Sequence, residues 1–256
     1  MELKIFYTVF IFIFGLIFGS FFNVVGWRLP AGLSLVKPSG SFCPKCKHKL
    51  RWYENIPVIS YLIQGGKCRK CKKKIPKFYI IVELLTGFLF ALSYVIFGFS
   101  FEFLLAVITA SFFVIVIVSD SNYLIIPDEV TLVMSILVIF SRFICNGITD
   151  ALLHLVFGIS AFIIMYLLML FGNFLFKKES LGGGDIKLMF FIGCAVGPWM
   201  SIFTIFLSSF IALPLSLILY YRSKDSVIPY GPFLLIAALL IILFKIDVNF
   251  ILNIGI

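Results

Sequence analysis

Residues 101–120 read FEFLLAVITASFFVIVIVSD, an apolar run that ends in the carboxylate of Asp120. A transmembrane helix needs about 20 predominantly apolar residues, so this run is long enough to cross a bilayer. The rest of the chain has the same character, because 62% of its 256 residues are hydrophobic. Its mean hydropathy is +1.14. Soluble domains do not carry such an excess of apolar residues, and the composition therefore predicts an all-α polytopic membrane protein.

Eight apolar runs are candidates for membrane-spanning helices. The sixth is short, and we expect the first to be retained, because it exceeds the apolar part of a signal peptide and no small-residue cleavage site follows it. The runs cover residues 5–26, 78–98, 101–119, 129–147, 151–173, 185–198, 200–221 and 231–252.

Basic residues are concentrated between the first two runs. Of the 21 Lys and Arg, 13 lie between Arg28 and Lys77, where Glu54 is the only acid. A net charge of +9 can indicate nucleic-acid binding, but clustering beside membrane segments favours the positive-inside rule, so we expect no nucleic-acid partner. The rule places this loop in the cytoplasm, both termini outside, and Asp120 and Asp185 at the cytoplasmic face. The sequence thus divides into a first helix (1–27), a loop domain (28–77) and a membrane core (78–256).

Two CxxC pairs lie in the basic loop: Cys43 with Cys46, and Cys68 with Cys71, separated by 21 residues. Four thiolates in this pattern are typical of a closed structural zinc site, and a loop with few core-forming residues needs such a site to fold. Two disulfides are the alternative, which a reducing cytoplasm disfavours. His48 is a possible substitute ligand but is better explained as a solvated loop histidine. Cys145 and Cys194 are interpreted as small buried apolar residues.

Asp185 follows Gly182, Gly183 and Gly184 at the start of the sixth run. The glycines allow unusual backbone angles and the close approach of another chain, so we interpret them as a loop where a substrate segment lies beside the acid. A flexible loop ending in a helix-capping Asp is the alternative. Asp120 lies at a helix C-terminus, where the helix dipole disfavours an acid. Asp128 and Glu129, by contrast, are explained as acids in the first turn of the next helix.

Ionisable residues at membrane segments mark functional sites by default. Two carboxylates held close together in a poorly solvated site share one proton. The ionised member can then take a proton from water while the protonated member polarises a scissile carbonyl. Asp120 and Asp185 therefore predict peptide hydrolysis at the cytoplasmic membrane surface.

Several motifs follow one another along nearly the whole chain. They are GSFFNVV (19–25) with Arg28-Leu29-Pro30, the two CxxC pairs, NIPVISYL (55–62), ELLTG (83–87), Asp120 with Ile126-Pro127-Asp128, Gly182-Gly183-Gly184-Asp185 and IPYGPF (228–233). Together they give the chain a resemblance to bacterial type IV prepilin peptidases, which are membrane aspartic proteases. Tyr230 departs from the Phe that is usual in the last of these motifs.

The resemblance implies that Asp120 and Asp185 are the catalytic pair. It also implies cleavage of the short basic leader of prepilins and pseudopilins in the inner membrane, and often methylation of the new N-terminal amine with S-adenosylmethionine. No glycine-rich nucleotide-binding turn is visible, so the methyl-donor site is unassigned. Asn23 and Glu83 are candidates for it, and interhelical hydrogen bonding is their alternative.

Other classes of function explain less of the sequence. A proton- or cation-coupled transporter would place acids near the bilayer midplane and show repeated halves, neither of which we find. A non-enzymatic scaffold leaves Asp120 unexplained, and a presenilin-type protease does not account for the cysteine loop. A peptidase without methyltransferase activity stays open.

Overall fold

The computed structural model describes residues 2–37, 40–177, 181–222 and 229–247. Helices are the main element of these ranges. The ranges also contain two isolated β-bridges but no strand, so the predicted all-α class is confirmed. A single 3₁₀ turn covers Trp52–Asn55. The helices are α1 (Glu2–Arg28), α2 (Ile59–Ile63), α3 (Phe78–Phe97), α4 (Phe101–Tyr123), α5 (Asp128–Asn146), α6 (Ile148–Phe176), α7 (Gly183–Val196), α8 (Pro198–Arg222) and α9 (Gly231–Leu243).

The chain forms two compact units. Unit 1, Met1–Gly98, contains the basic loop together with α1 and α3. Unit 2, Phe99–Ile256, contains α4 to α9. The cysteine loop thus groups with the helices on both of its sides.

Each of the eight predicted runs gives a helix, but eight full spans are not confirmed. Among the described residues, five helices are long and apolar enough to cross a membrane: α1, α3, α4, α6 and α8. Helices α7 and α9 have 14 and 13 residues. At 1.5 Å per residue they are only about 20 Å long, against about 30 Å for a hydrocarbon layer. The end of the run predicted at 231–252 lies outside the described residues.

Glycines set the packing of α1 on α3 in unit 1. A Cβ added at Gly15 would fall 2.7 Å from the Cα of Gly87, and one added at Gly19 would fall 2.9 Å from the Cα of Glu83. Small residues four apart let the backbones of membrane helices approach closely. This contact brings the C-terminal half of α1 against the N-terminal half of α3.

Helix α4 is the most enclosed of the long helices. In its most apolar window 67% of the residues are buried, compared with 17% in α6 and 22% in α8. Buried hydroxyls do not break the helix, because they bond to carbonyls one turn earlier: Thr109 to Leu105 at 2.9 Å and Ser111 to Val107 at 2.7 Å. Asp120 is in the last turn of this helix, inside the element rather than after it.

The C-terminal end of α7 is held by Arg142 of α5. Its guanidinium donates to the carbonyls of Cys194 at 3.0 Å and Ala195 at 2.6 Å, and pairs with Asp150 at 3.2 Å. His154 adds a bond to the Cys194 carbonyl at 3.0 Å. The last carbonyls of a helix have no partner within the helix, and in an apolar medium they must find one elsewhere. Arg142 therefore anchors the C-terminal end of α7.

The two isolated cysteines differ. Cys194 is fully buried in α7, as predicted. The prediction for Cys145 is wrong, because it lies on the exposed face of α5. A residue on an apolar helix of a membrane protein can face lipid as well as the protein core. Apolar neighbours in the sequence therefore do not imply burial.

Candidate active site and cysteine cluster

The structure brings Asp120 and Asp185 together within unit 2. Asp120 is in the last turn of α4, and Asp185 is in the first turn of α7. Both side chains are buried, and each lies close enough for the charge of Asp120 to act on Asp185. One acid from the C-terminal end of a helix and one from the N-terminal end of another thus meet in a buried site.

A third helix end completes the site. The backbone N–H of Gly231, the first residue of α9, donates a hydrogen bond to the Asp120 carboxylate. The N-terminus of a helix has free N–H groups and a positive partial charge, both of which stabilise an anion. Within residues 2–37, 40–177, 181–222 and 229–247, no donor of this kind reaches the Asp185 carboxylate. The two acids are therefore not equivalent, because in the described ranges the helix-end N–H serves Asp120 and not Asp185.

Ile126, from the loop between α4 and α5, packs against two of the glycines. A Cβ at Gly231 would fall 2.7 Å from Ile126 Cδ1, and one at Gly184 would fall 3.2 Å from Ile126 Cβ. Gly231 must also stay bare because its Cβ would be 3.3 Å from Asp120 Oδ2. Sequence patterns assign no role to Ile126 or Gly231 beyond their motifs. Their role depends on a contact between segments more than 100 residues apart, which no local pattern reveals.

The glycines before Asp185 have ordinary backbone angles. Gly182 has φ −70° and ψ 140°, and Gly183 and Gly184 are already helical, so the expected unusual angles are not found. Gly182 and Gly183 are exposed, and a Cβ at Gly183 would meet open space. Their predicted service as a substrate-approach loop stays a prediction, while Gly184 makes room for Ile126.

Asp128 has a specific partner that the helix-dipole explanation omitted. Both of its carboxylate oxygens lie 2.7 Å from Lys187 Nζ, which joins the first turn of α5 to α7. Both side chains are more than half exposed, so the pair is worth at most about 1 kcal/mol. The pair is a surface contact between α5 and α7 and adds little stability.

The hydroxyl of Tyr230, which a Phe at this position would lack, forms hydrogen bonds with a neighbouring helix. Its Oη lies 2.6 Å from Ser208 Oγ and 3.1 Å from Ser209 Oγ, both on α8. A phenolic hydroxyl in an apolar bundle needs such partners. The substitution therefore ties the residue before Gly231 to a neighbouring helix.

The four loop cysteines converge in unit 1. Their Sγ atoms all lie within 4.8 Å of one another, with Cys43–Cys71 and Cys46–Cys68 at 3.9 Å. Tetrahedral bonds of 2.3 Å place sulfurs about 3.8 Å apart, so the cluster has the dimensions of a four-thiolate metal site.

The two CxxC segments have the same backbone. An isolated bridge flanks each, Phe42 with Lys49 and Lys67 with Lys74. In each, the residue after the second cysteine has positive φ, 57° at both Lys47 and Lys72. The loop is thus built from two copies of one turn, each carrying a CxxC pair.

Backbone N–H groups favour the deprotonation of two of the four thiols, Cys43 and Cys68. At Cys46 the His48 backbone acts the same way, but burial and hydrogen bonds with the other thiols raise the pKa to about 11. Burial would raise the pKa of Cys43, but the backbone N–H groups of Cys46 and Lys45 lower that pKa to about 7. A hydrogen bond from the Cys71 backbone lowers the pKa of Cys68. Thiolates are the metal-binding form, so these turns favour a bound cation.

His48 is not part of the cluster. Its Nε2 lies 3.4 Å from Glu54 Oε2, and Glu54 also accepts the backbone N–H of Arg51 at 2.8 Å. That hydrogen bond, followed by the contact with His48, lowers the pKa of Glu54. The histidine is therefore a partner of a buried acid, not the freely solvated residue that the sequence suggested.

Asn23 and Glu83 belong to unit 1, whereas the carboxylate pair belongs to unit 2. Both are buried, Asn23 near the end of α1 and Glu83 in the second turn of α3. They line one cavity of about 310 Å³.

Two family models match the chain. Residues 13–97 match the bacterial peptidase A24 N-terminal domain, and residues 107–217 match the type IV leader peptidase family. The two matches fall within units 1 and 2 respectively.

Curated relatives carry the name prepilin leader peptidase/N-methyltransferase. One from Vibrio cholerae is 33% identical over 92% of this chain and 96% of its own length. One from Pseudomonas aeruginosa is 35% identical, covering 87% of this chain and 85% of the relative. One from Myxococcus xanthus is 37% identical over 73% of this chain, which spans 55% of that longer relative. No solved structure matches the chain.

Proposed function

Because this chain belongs to the type IV leader peptidase family, we propose that it removes the leader peptide of type IV prepilins and pseudopilins and N-methylates the new N-terminus. The observation that carries the peptidase half is the meeting of Asp120 and Asp185 where three helices end. The names of the relatives support the second half. A peptidase without methyl transfer is the other reading, which the assays below separate.

The hydrogen-bond pattern suggests which acid does what. Asp120 accepts the Gly231 N–H and is the ionised base, and Asp185 is the protonated acid. Asp120 takes a proton from water as the water attacks the scissile carbonyl carbon, and Asp185 donates its proton to the carbonyl oxygen. As the tetrahedral intermediate collapses, the proton held by Asp120 passes to the leaving nitrogen and Asp185 recovers its own. The pair returns to its starting state.

The exposed side of the site is where the substrate would enter. Gly182 and Gly183 leave the approach to Asp185 free of side chains. A basic leader fits the cytoplasmic face of an inner membrane, where the Lys and Arg bias of the loops places this end of unit 2. A transporter is not favoured, because the curated relatives that match most of this chain are named prepilin leader peptidase/N-methyltransferase.

Zinc is the metal we propose for the cysteine cluster. Four thiolates leave no open coordination position, so the ion would be structural and hold the two turns together. It would take no part in hydrolysis, for which the acids of unit 2 suffice.

S-adenosylmethionine is the methyl donor we propose, and its site would lie in unit 1. When bound, it supplies an electrophilic methyl group. The cavity of about 310 Å³ reaches the lower range of small-molecule sites. The buried Asn23 Oδ1 has no hydrogen-bond partner in the described part of the chain, so it could accept a hydrogen bond from a bound ligand. Asn23 and Glu83 are the residues we propose to hold the donor.

Replacing either acid should abolish cleavage. We expect Asp120→Asn and Asp185→Asn each to lower the rate of leader removal by at least about 100-fold, because each removes one half of the acid–base pair. The assay follows leader removal and methyl incorporation together, with the purified full chain and a prepilin. Asp128→Asn, exposed and outside the pair, is the matched control and should cleave normally. Near-normal cleavage by either active-site variant would remove that residue from the mechanism.

The Gly231 contact can be tested by a rescue. Gly231→Ala should slow cleavage by roughly 10- to 100-fold, because its methyl group displaces Ile126 and shifts the N–H that holds Asp120. Ile126→Val deletes the Cδ1 atom that the new methyl group would meet, so the double variant should recover part of the loss. Full activity in Gly231→Ala, or a double variant no better than the single one, contradicts this role.

Metal analysis tests the cluster. We expect about one zinc per chain in the wild type, and loss of the ion in Cys71→Ser. Cys145→Ser removes an isolated cysteine and should keep the metal. Intramolecular disulfides without metal in protein from cells would overturn the assignment.

A further inference from the structure

The cavity of unit 1 is walled by α1, the cysteine turns, the segment around α2 and the start of α3. Its wall includes Ser20, Asn23, Asn55, Tyr61 and Glu83. Gly19 lets the backbones of α1 and α3 touch at this level, since its Cβ would fall 2.9 Å from the Cα of Glu83. The polar wall therefore lies beside the close contact between α1 and α3.

Two buried polar groups of this wall keep unused acceptor capacity. Glu83 is 9% exposed, and its carboxylate accepts the Val58 N–H at 2.8 Å and the Ser20 hydroxyl. A carboxylate can accept about four hydrogen bonds, so capacity remains. Asn23 donates its Nδ2 to the Tyr79 carbonyl at 3.2 Å, which orients the amide and leaves Oδ1 unpaired in the described residues. Both groups could therefore accept hydrogen bonds from a ligand.

No positive charge is paired with Glu83. Across the described ranges, Glu83 forms no ion pair with Lys, Arg or His. Lys45, Lys73 and Lys74 line the cavity but are exposed. Arg28, which also lines it, is buried and donates to the carbonyls of Leu35 and Gly40. A buried carboxylate without a counter-charge is costly, so a cationic ligand would be favoured there.

The loop that Glu83 holds is strained. Val58 has φ 61° and ψ −53°, a region that a β-branched residue rarely adopts. Such outliers persist only where the surroundings impose them, and they cluster at ligand sites. Here the Glu83 carboxylate fixes the Val58 N–H, which sets the position of the following α2 at the cavity.

We propose that Glu83 and Asn23 form a receptor for a primary ammonium group in this cavity. An ammonium group offers three donors and one positive charge, which match the free acceptor capacity and the uncompensated carboxylate. Resting on the proposed function, two molecules supply such a group: the amino-acid end of the methyl donor, and the new N-terminus of the cut protein.

Binding to the full chain in detergent micelles tests the receptor. Isothermal titration would use S-adenosylhomocysteine and its analogue without the amino group, then a prepilin-derived peptide with a free and an acetylated N-terminus. We expect Glu83→Gln to weaken one free-amine ligand by about tenfold or more, because Gln keeps an acceptor for Val58 but loses the charge. Removing the amine should weaken wild-type binding similarly. The affected ligand identifies the source of the ammonium group.

Glu54→Gln is the matched control, since Glu54 lines the same cavity but already contacts His48. It should leave both affinities near the wild-type values. Unchanged affinities in Glu83→Gln, or a wild type that binds neither free-amine ligand, would overturn the proposal. Metal content and thermal unfolding confirm that Glu83→Gln is folded. Absence of methyl incorporation by the wild type would refute the proposed methyl transfer separately, because amine binding is measured without turnover.

Discussion

A helix of 14 residues is about 21 Å long and cannot cross a hydrocarbon layer of about 30 Å. Because α7 is this short, both of its ends must be satisfied by other parts of unit 2. At the C-terminal end, Arg142 binds the free carbonyls. At the N-terminal end, the first turn carries the buried Asp185 next to Asp120. The short helix thus makes a polar site possible inside an apolar bundle. Helix α9 is also short, and its first N–H, from Gly231, binds Asp120.

Glycine contacts decide where polar groups meet in each unit. In unit 1, Gly19 allows α1 to touch α3 beside Glu83; in unit 2, Gly231 allows α9 to begin against Asp120. In both cases the missing Cβ leaves room for a neighbouring backbone or carboxylate. A methyl group at either glycine would push the neighbouring backbone or carboxylate away, although no functional side chain is changed.

The sequence predicted much of this, because the relevant patterns are local. Apolar runs predict helices, CxxC pairs predict a cluster, and acids in an apolar chain stand out by their cost. It did not reveal that Arg142 anchors α7, that Ile126 fills the space beside Gly231, or that Val58 is strained. These depend on which backbone groups face each other after packing, which residue types alone do not specify. The count of eight spans exceeded what the helix lengths support, because an apolar run reports composition and not how far its helix extends.

The central claim is that Asp120 and Asp185 work as one proton-sharing pair. The pH dependence of kcat/KM for prepilin cleavage by the full chain tests it most directly, because the pair must hold one proton to act. A bell-shaped profile is expected: at low pH both acids are protonated and no base remains, and at high pH both are ionised and no acid remains. A rate that rises through a single ionisation and stays at a plateau to high pH would contradict the account.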